Sequence, residues 1–300
     1  MKTLLIFGAS GFIGKSLIEY IKINGLKKFS INKIILVSRK NIRIGKSIKK
    51  VKVNCLRGDI KKIKYLPHTD YIFYLINDKN QDKSFKLFEH FKNLIEKNKS
   101  KTKIIFTSSG AVYGVIKNKD ETVENKKISI NKIKKFNNYK KAYAMNKYKM
   151  EKILKKISNK NLNIVIARCF TFIGSQILKE KNYAISNFIN SLKIRKKIFV
   201  NNPNTVRSYM SSQDLSEWLL KIITKVKNSY DIVNIGSDQE INMENLSKII
   251  HKKHKSNFQL ILRKNNKKDY YVPNIKKAKS KFGLKNRLYL NKSLDDILNI

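Results

Sequence analysis

A chain of 300 residues with 41% apolar content excludes wholesale disorder and has room for one large α/β domain, or for a domain with a smaller lobe. No run approaches the roughly 18 apolar residues of a membrane helix, and Gly8 interrupts the apolar start too early for a secretory signal, which reads as a soluble, cytoplasmic protein with no membrane partner. The formal net charge of +45 invites a nucleic-acid reading, but only eight of the 66 basic residues are Arg and the Lys is spread along the whole chain, so we expect a solvated Lys surface and no specific nucleic-acid partner.

The first element is Lys2–Phe7, an apolar run of buried-strand length. Gly8, Gly11 and Gly14 follow at three-residue spacing, and a helical pattern then begins with Leu17, Ile18 and Ile21. Strand, glycine turn and helix is the arrangement that lets backbone N–H groups and a helix N-terminus meet a phosphate. Gly8 would permit the tight turn, Gly11 the close approach of a pyrophosphate, and Gly14 close packing of helix on sheet. This stretch is therefore expected to hold a dinucleotide.

Lys33–Ser38 reads as a second strand. At its end, where an acidic residue usually takes the ribose 2′-hydroxyl of NAD, the chain has Ser38 and Arg39. A hydroxyl and a guanidinium fork suit a 2′-phosphate and point to NADP over NAD; the plain alternative is a solvent-facing Arg in a very basic protein. Val51–Leu56 is a third strand, alternating apolar and polar. Asp59 after it could accept a hydrogen bond from the adenine amino group or simply cap a loop. Tyr71–Ile76 is a fourth strand, and Ser84–Lys97 carries apolar residues at helical spacing.

Lys103–Ser108 is a fifth strand, running into Ser109-Gly110-Ala111-Val112-Tyr113-Gly114. A Ser hydroxyl at the carboxyl end of a parallel strand is placed to meet a substrate carbonyl. Gly114 to Lys140 is rich in Lys and Asn, weakly periodic, and expected to be a surface excursion. The helix expected over Ala142–Ile157 carries Tyr143 and Lys147, which share one face at i and i+4. A nearby ammonium stabilises a phenolate and suits the Tyr to general acid–base work. Asn163–Arg168 is a sixth strand. Strands alternating with helices imply a parallel sheet covered on both faces. Beyond residue 175 the alternation fades into short strands (Ile198–Val200, Asp231–Ile235, Gln259–Leu262) and helices (Leu215–Val226, Met243–His251), a mixed lobe over the mouth of the sheet. Cys55 and Cys169 lie in apolar segments and are expected to be buried thiols; with four scattered histidines, no metal site is expected.

The glycine turn, the Ser at a strand end, and the Tyr and Lys of the next helix, in that order, resemble the extended short-chain dehydrogenase/reductase family. These are the NAD-dependent epimerases, dehydratases and 4-ketoreductases of nucleotide sugars. The resemblance covers nearly the whole chain. It extends to Arg168-Cys169-Phe170-Thr171-Phe172-Ile173-Gly174, with Thr171 where Asn is usual, and to Arg207-Ser208-Tyr209-Met210 with Asp214-Leu215. Asn234-Ile235-Gly236 and Pro273-Asn274-Ile275-Lys276-Lys277-Ala278 match C-terminal landmarks. The resemblance implies an α/β fold, a Rossmann-type doubly wound parallel sheet with a small C-terminal α/β substrate lobe. Residues 1–175 would form the NAD(P)-binding domain, with 197–235 contributing elements back to it, and 176–196 and 236–300 the substrate-binding lobe. It implies Ser109, Tyr143 and Lys147 as catalytic residues, Lys147 anchoring the cofactor ribose. Ser10, Phe12 and Ile13 would join the three glycines at the cofactor, with Ser38, Arg39, Asp59 and Ile60. Ser109, Asn187 and Arg207 would meet the nucleotide-sugar substrate, Arg207 at its diphosphate. A homodimer packed through the Ser84–Lys97 and Ala142–Ile157 helices is also implied, with their many Lys opposing it.

The family's 4,6-dehydratases carry Asp-Glu directly after the catalytic Thr, where this chain has Gly110-Ala111. Neither side chain can act as acid or base, so no dehydratase activity is expected. Two enzyme readings stay open. One is an NADPH-dependent 4-ketoreductase of surface-polysaccharide sugar synthesis, to which Ser38 and Arg39 tilt the balance; the other is a 4-epimerase that keeps NAD bound. A non-catalytic NAD(P)- or RNA-binding relative is the third reading, against which stand the intact Ser, Tyr and Lys.

Overall fold

The computed structural model describes residues 2–40, 42, 52–98, 100–179, 184–195, 197–254, 259–263 and 269–298. The opening run is β1 (Lys2–Phe7), and its alternation explains its uniform hydrophobicity. Leu4 and Ile6 enter the core on one side of the sheet, Leu5 and Phe7 the core on the other. A central parallel strand has no solvent face, so both sets must be apolar. The chain continues through α1 (Phe12–Asn24), β2 (Ile31–Ser38), β3 (Lys52–Arg57), β4 (Tyr71–Tyr74), α2 (Gln81–Glu96), β5 (Thr102–Ser109), α3 (Ile130–Lys134), α4 (Asn138–Ile157) and β6 (Leu162–Cys169). It then runs through β7 (Phe172–Ile173), α5 (Ala184–Arg195), β8 (Lys197–Val200), β9 (Val206–Arg207), β10 (Met210–Ser211), α6 (Ser212–Lys225) and β11 (Tyr230–Ile235). The last elements are β12 (Ile241–Asn242), α7 (Met243–His254), β13 (Gln259–Leu262), β14 (Tyr270–Tyr271), α8 (Lys276–Phe282) and α9 (Leu290–Leu298).

Seven strands form one sheet in the order β11-β6-β5-β4-β1-β2-β3, parallel at every pairing. The order reverses beside β1, whose neighbours are β2 and β4, and this is the Rossmann-type doubly wound arrangement. Helices α1 and α6 cover one face, where Leu17, Ile21, Trp218 and Leu219 are buried. Helices α2 and α4 cover the other through Phe88, Phe91, Met150 and Leu154. The buried positions of α2 fall at 84, 87, 88, 91, 94 and 95, the stripe expected of a helix with one wet face. A separate core gathers Ile185, Phe188, Ile198, Leu246, Ile250 and Leu294 around the parallel pair β8–β13. No helix among the described residues is long and apolar enough to cross a membrane.

One expectation is refined and another corrected. The stretch from Gly114 to Lys140 does run over the surface, with most of its residues exposed, but it is pinned to the body of the protein at several points. Ile116, Ile128 and Ile133 are buried in a cluster with Val112, Tyr113 and Phe170, and α4 already begins at Asn138, with the Asn137 side chain accepting the Lys140 N–H. Its apolar residues have no period because they pack one at a time against the sheet end. Cys55, expected to be buried, is exposed, while Cys169 is buried. β3 is an edge strand, and alternate residues of an edge strand stand on ground that no helix need cover. The expected start of that strand at Val51 lies outside the described residues.

Candidate active site

The switch between β1 and β4 opens a crevice at the carboxyl ends of the strands, the standard ligand position in such sheets. Gly8 turns there with φ of +82°, and a Cβ on it would stand 3.0 Å from the Ile76 nitrogen after β4. A Cβ on Gly14 would lie 2.6 Å from Ala9 Cα, so α1 seats directly on the turn. Gly11 caps α1 without any side-chain hydrogen bond, and the first helical turn holds no acidic residue. The N–H groups at this helix start are thus open to an anion, as a dinucleotide phosphate requires.

At the tip of β2, Ser38 is buried and its Oγ accepts the Lys40 N–H. Arg39 is exposed and reaches Asp78 across 3.9 Å. A cavity of about 440 Å³ beside this tip is lined by Ser10, Lys15, Glu19, Lys22 and Lys40 among others. Asp59 Oδ1 accepts the Lys61 N–H, the loop-capping alternative of the sequence reading, and Ile60 next to it is buried. Phe12 stacks on Phe172 with ring centroids 6.2 Å apart, and Ile13 is half-buried.

Ser109 ends β5. Its Oγ accepts the Ala111 N–H at 3.1 Å and lies 3.2 Å from the Tyr271 hydroxyl. On α4, Tyr143 and Lys147 face the same way, with Lys147 Nζ 5.9 Å from the Tyr143 ring centroid. Lys147 is 3% exposed and donates to the Thr107 carbonyl at 3.0 Å. Burial pushes its ammonium down to about 8, against the opposing fields of Cys169 and Glu151. Burial also raises the Tyr271 phenol, against the Ser109 hydrogen bond, and the Tyr143 phenol adds to the rise. Ser109, Tyr271 and Tyr143 are therefore close enough to sense one another.

Behind this group, Glu151 accepts from Ser108 Oγ at 2.5 Å and from Arg168 Nη2 at 2.7 Å. Arg168 lies under the Tyr113 ring, 4.8 Å from its centroid, and the Tyr113 hydroxyl donates to Asn234 Oδ1 at 2.9 Å. Asn234 Nδ2 in turn donates to the carbonyls of Thr122 and Asn274. This buried chain of polar groups braces β5, α4, β6 and β11 about the crevice.

Arg207 lies on β9, paired with Asp269, and its guanidinium is 5.8 Å from the Tyr271 ring. Asn187 is exposed on α5. Tyr271 and Asp269 were not singled out in the sequence. Each is an ordinary residue of a polar stretch, and only the pairing of β14 with β9 carries them to the site. Arg168 did give a signal, as a charge directly after the apolar run 164–167 of a buried strand.

A model of the NAD dependent epimerase/dehydratase family matches residues 4–236. The bifunctional polymyxin resistance protein ArnA of Wigglesworthia glossinidia brevipalpis is 32% identical over 278 residues, covering 83% of this chain and 41% of that protein. The chain thus spans about two fifths of the length of that curated relative. The dTDP-glucose 4,6-dehydratase of Bacillus anthracis, solved in complex with NAD, superposes with a TM-score of 0.79 at 17% identity, covering 100% of this chain and 96% of that one. RMD from Pseudomonas aeruginosa, solved with NADPH, gives 0.74 at 16% identity, covering 100% and 98%. Likeness at such identities speaks for the fold.

Proposed function

This chain belongs to the NAD-dependent epimerase/dehydratase family, and on that premise we propose that it is a nucleotide-sugar 4-ketoreductase using NADPH, acting in the synthesis of surface-polysaccharide sugars. The observation that carries the reading is the tip of β2. It offers Ser38, Arg39 and Lys40 and no carboxylate of its own, next to a cavity where Lys15, Lys22 and Lys40 outnumber the one acid, Glu19, a setting suited to a 2′-phosphate. Gly8 to Gly14 and the open start of α1 would hold the dinucleotide phosphates, and Lys147 its nicotinamide ribose. When bound, the nicotinamide supplies the hydride. Tyr143 donates its phenolic proton to the carbonyl oxygen as it becomes a hydroxyl, and Lys147 stabilises the phenolate left behind. Ser109 donates a hydrogen bond to the same oxygen, while Arg207 holds the substrate diphosphate. Elimination of water is disfavoured in this reading. Gly110 and Ala111 carry no acid or base, and a Cβ on Gly110 would stand 2.5 Å from Phe170 Cζ, so the neighbouring space is filled.

One contact favours the epimerase as a second reading. Arg39 is already turned to Asp78, and a guanidinium so engaged has less to offer a 2′-phosphate. Identification of the dinucleotide that purifies with the protein separates the two. The reductase is expected to arrive without tightly held cofactor, to bind NADPH, and to oxidise it with a nucleotide-linked 4-keto-6-deoxyhexose. Retained NAD, with interconversion of C4 epimers and no added cofactor, would establish the epimerase instead.

The reaction carries its own pH signature. Lys147 is charged below about 8 and neutral above, so its support of the Tyr143 phenolate is present at lower pH and lost as pH rises through that value. The kcat/KM of the NADPH-dependent reduction is expected to fall on the basic side with an apparent pKa of about 8. A profile that stays flat through about pH 10 would remove Lys147 from the role.

A further inference from the structure

The segment 269–271, which leads into β14, carries two side chains into the candidate substrate site, Asp269 just before the strand and Tyr271 at its end. Tyr270 and Tyr271 pair in parallel with Val206 and Arg207 of β9. The Val206 N–H donates to the Asp269 carbonyl at 2.8 Å, which fixes the approach of the segment. Arg207 Nη2 donates to Asp269 Oδ2 at 2.5 Å, and Nη1 reaches the Asp269 carbonyl at 3.3 Å. Two residues on, the Tyr271 hydroxyl donates to the Cys169 carbonyl at 3.3 Å and meets Ser109 Oγ at 3.2 Å. A second cation stands close by: Lys140 Nζ is 5.7 Å from the Tyr271 ring, and its ammonium, depressed by burial, also feels Asp269 and Arg207.

We propose that the segment 269–271 is an internal occupant of the substrate site, in which the Asp269 carboxylate takes the place of the substrate diphosphate on Arg207 and the Tyr271 hydroxyl that of a sugar oxygen on Ser109. The proposal rests on the reading of Arg207 as the diphosphate group. Charge decides the exchange. One carboxylate faces two cations, Arg207 and Lys140, and a diphosphate brings more negative charge to the same place. The Arg207–Asp269 pair is also partly wet, its side chains 19% and 40% exposed. Such a pair is weak enough to open for a ligand and strong enough to compete with it. Tyr270 donates to Glu240 and bridges to Ile116, so the strand stays anchored while the Asp269 side chain swings away.

Calorimetric titration of the full chain with UDP, dTDP and GDP in turn, with NADP present, tests this. Asp269→Asn is expected to bind the preferred diphosphate about two- to five-fold more tightly than the unaltered protein. Asp269→Glu, which keeps the competing charge, is expected to retain the unaltered affinity and to show that the Asn variant acts through charge rather than through folding. Arg207→Ala is expected to weaken binding in every background. Unchanged or weaker binding by Asp269→Asn, with Arg207→Ala still weakened, would overturn the internal occupant and leave Arg207 at the diphosphate. Binding that neither substitution alters would overturn both.

Discussion

Tyr143→Phe is expected to lower turnover at least 100-fold while leaving NADPH affinity unchanged, because general acid catalysis of this kind contributes about 10²–10⁴-fold. The size of the effect follows from what else in the crevice could donate a proton. Ser109 has a hydroxyl in the right place, but its immediate partners are the Ala111 N–H and the Tyr271 hydroxyl, and neither stabilises an alkoxide as an ammonium does. Tyr271 is a phenol, yet burial raises it and its hydroxyl meets Ser109 and the Cys169 carbonyl, neither of them a cation, so it is a poor acid. Tyr143 is the phenol with Lys147 one helical turn away. Stopped-flow oxidation of NADPH measures the turnover, and fluorescence titration measures the affinity. Tyr271→Phe is the internal control and is expected to lose much less. A Tyr143→Phe enzyme retaining a tenth of its activity, or a Tyr271→Phe enzyme as impaired as the first, would move the acid to another group.

Much of this centre could be read in the sequence, for reasons that differ from one residue to the next. The glycine turn was legible because its constraints are local: Gly8 needs a positive φ and Gly14 has no room for a Cβ, whatever the rest of the chain does. The sheet was legible because a strand covered on both faces must be apolar at every position, as Leu4, Leu5, Ile6 and Phe7 are. Tyr143 and Lys147 were legible because helical spacing alone puts them on one face. What was not legible depends on distance along the chain. Ile116, Ile128 and Ile133 lie singly among Lys and Asn, and their burial is created by Phe170, which arrives from β6. Cys55 was misjudged because a strand's own residues do not say whether it lies at the edge of its sheet. Tyr271 stands 162 positions after Ser109, and no periodicity joins them.

The largest effect on stability is expected at Glu151. Glu151→Leu should destabilise the protein by about 3–5 kcal/mol, since it leaves a buried charge without its partner. The pair is dry, with side chains 3% and 2% exposed at Glu151 and Arg168. Burial works against the Arg168 guanidinium and the Glu151 carboxylate overcomes it, so the cation is held above its ordinary range. Its Nη1 has no hydrogen-bond partner among the described residues, and the Tyr113 ring 4.8 Å away cannot replace a carboxylate. Removing both charges is a different experiment. In Glu151→Leu combined with Arg168→Met neither member of the pair is left as an unpaired charge, and urea unfolding is expected to show a coupling of about 2 kcal/mol or more between the sites. Strictly additive losses would mean that the two side chains matter only as bulk. Function separates the same roles by another route. Glu151 lies one helical turn after Lys147, and its field helps to keep that ammonium charged. The basic limb near pH 8 should therefore move to lower pH in the single variant. Because the carboxylate is equally absent from the double variant, the limb should stay displaced there even as stability returns.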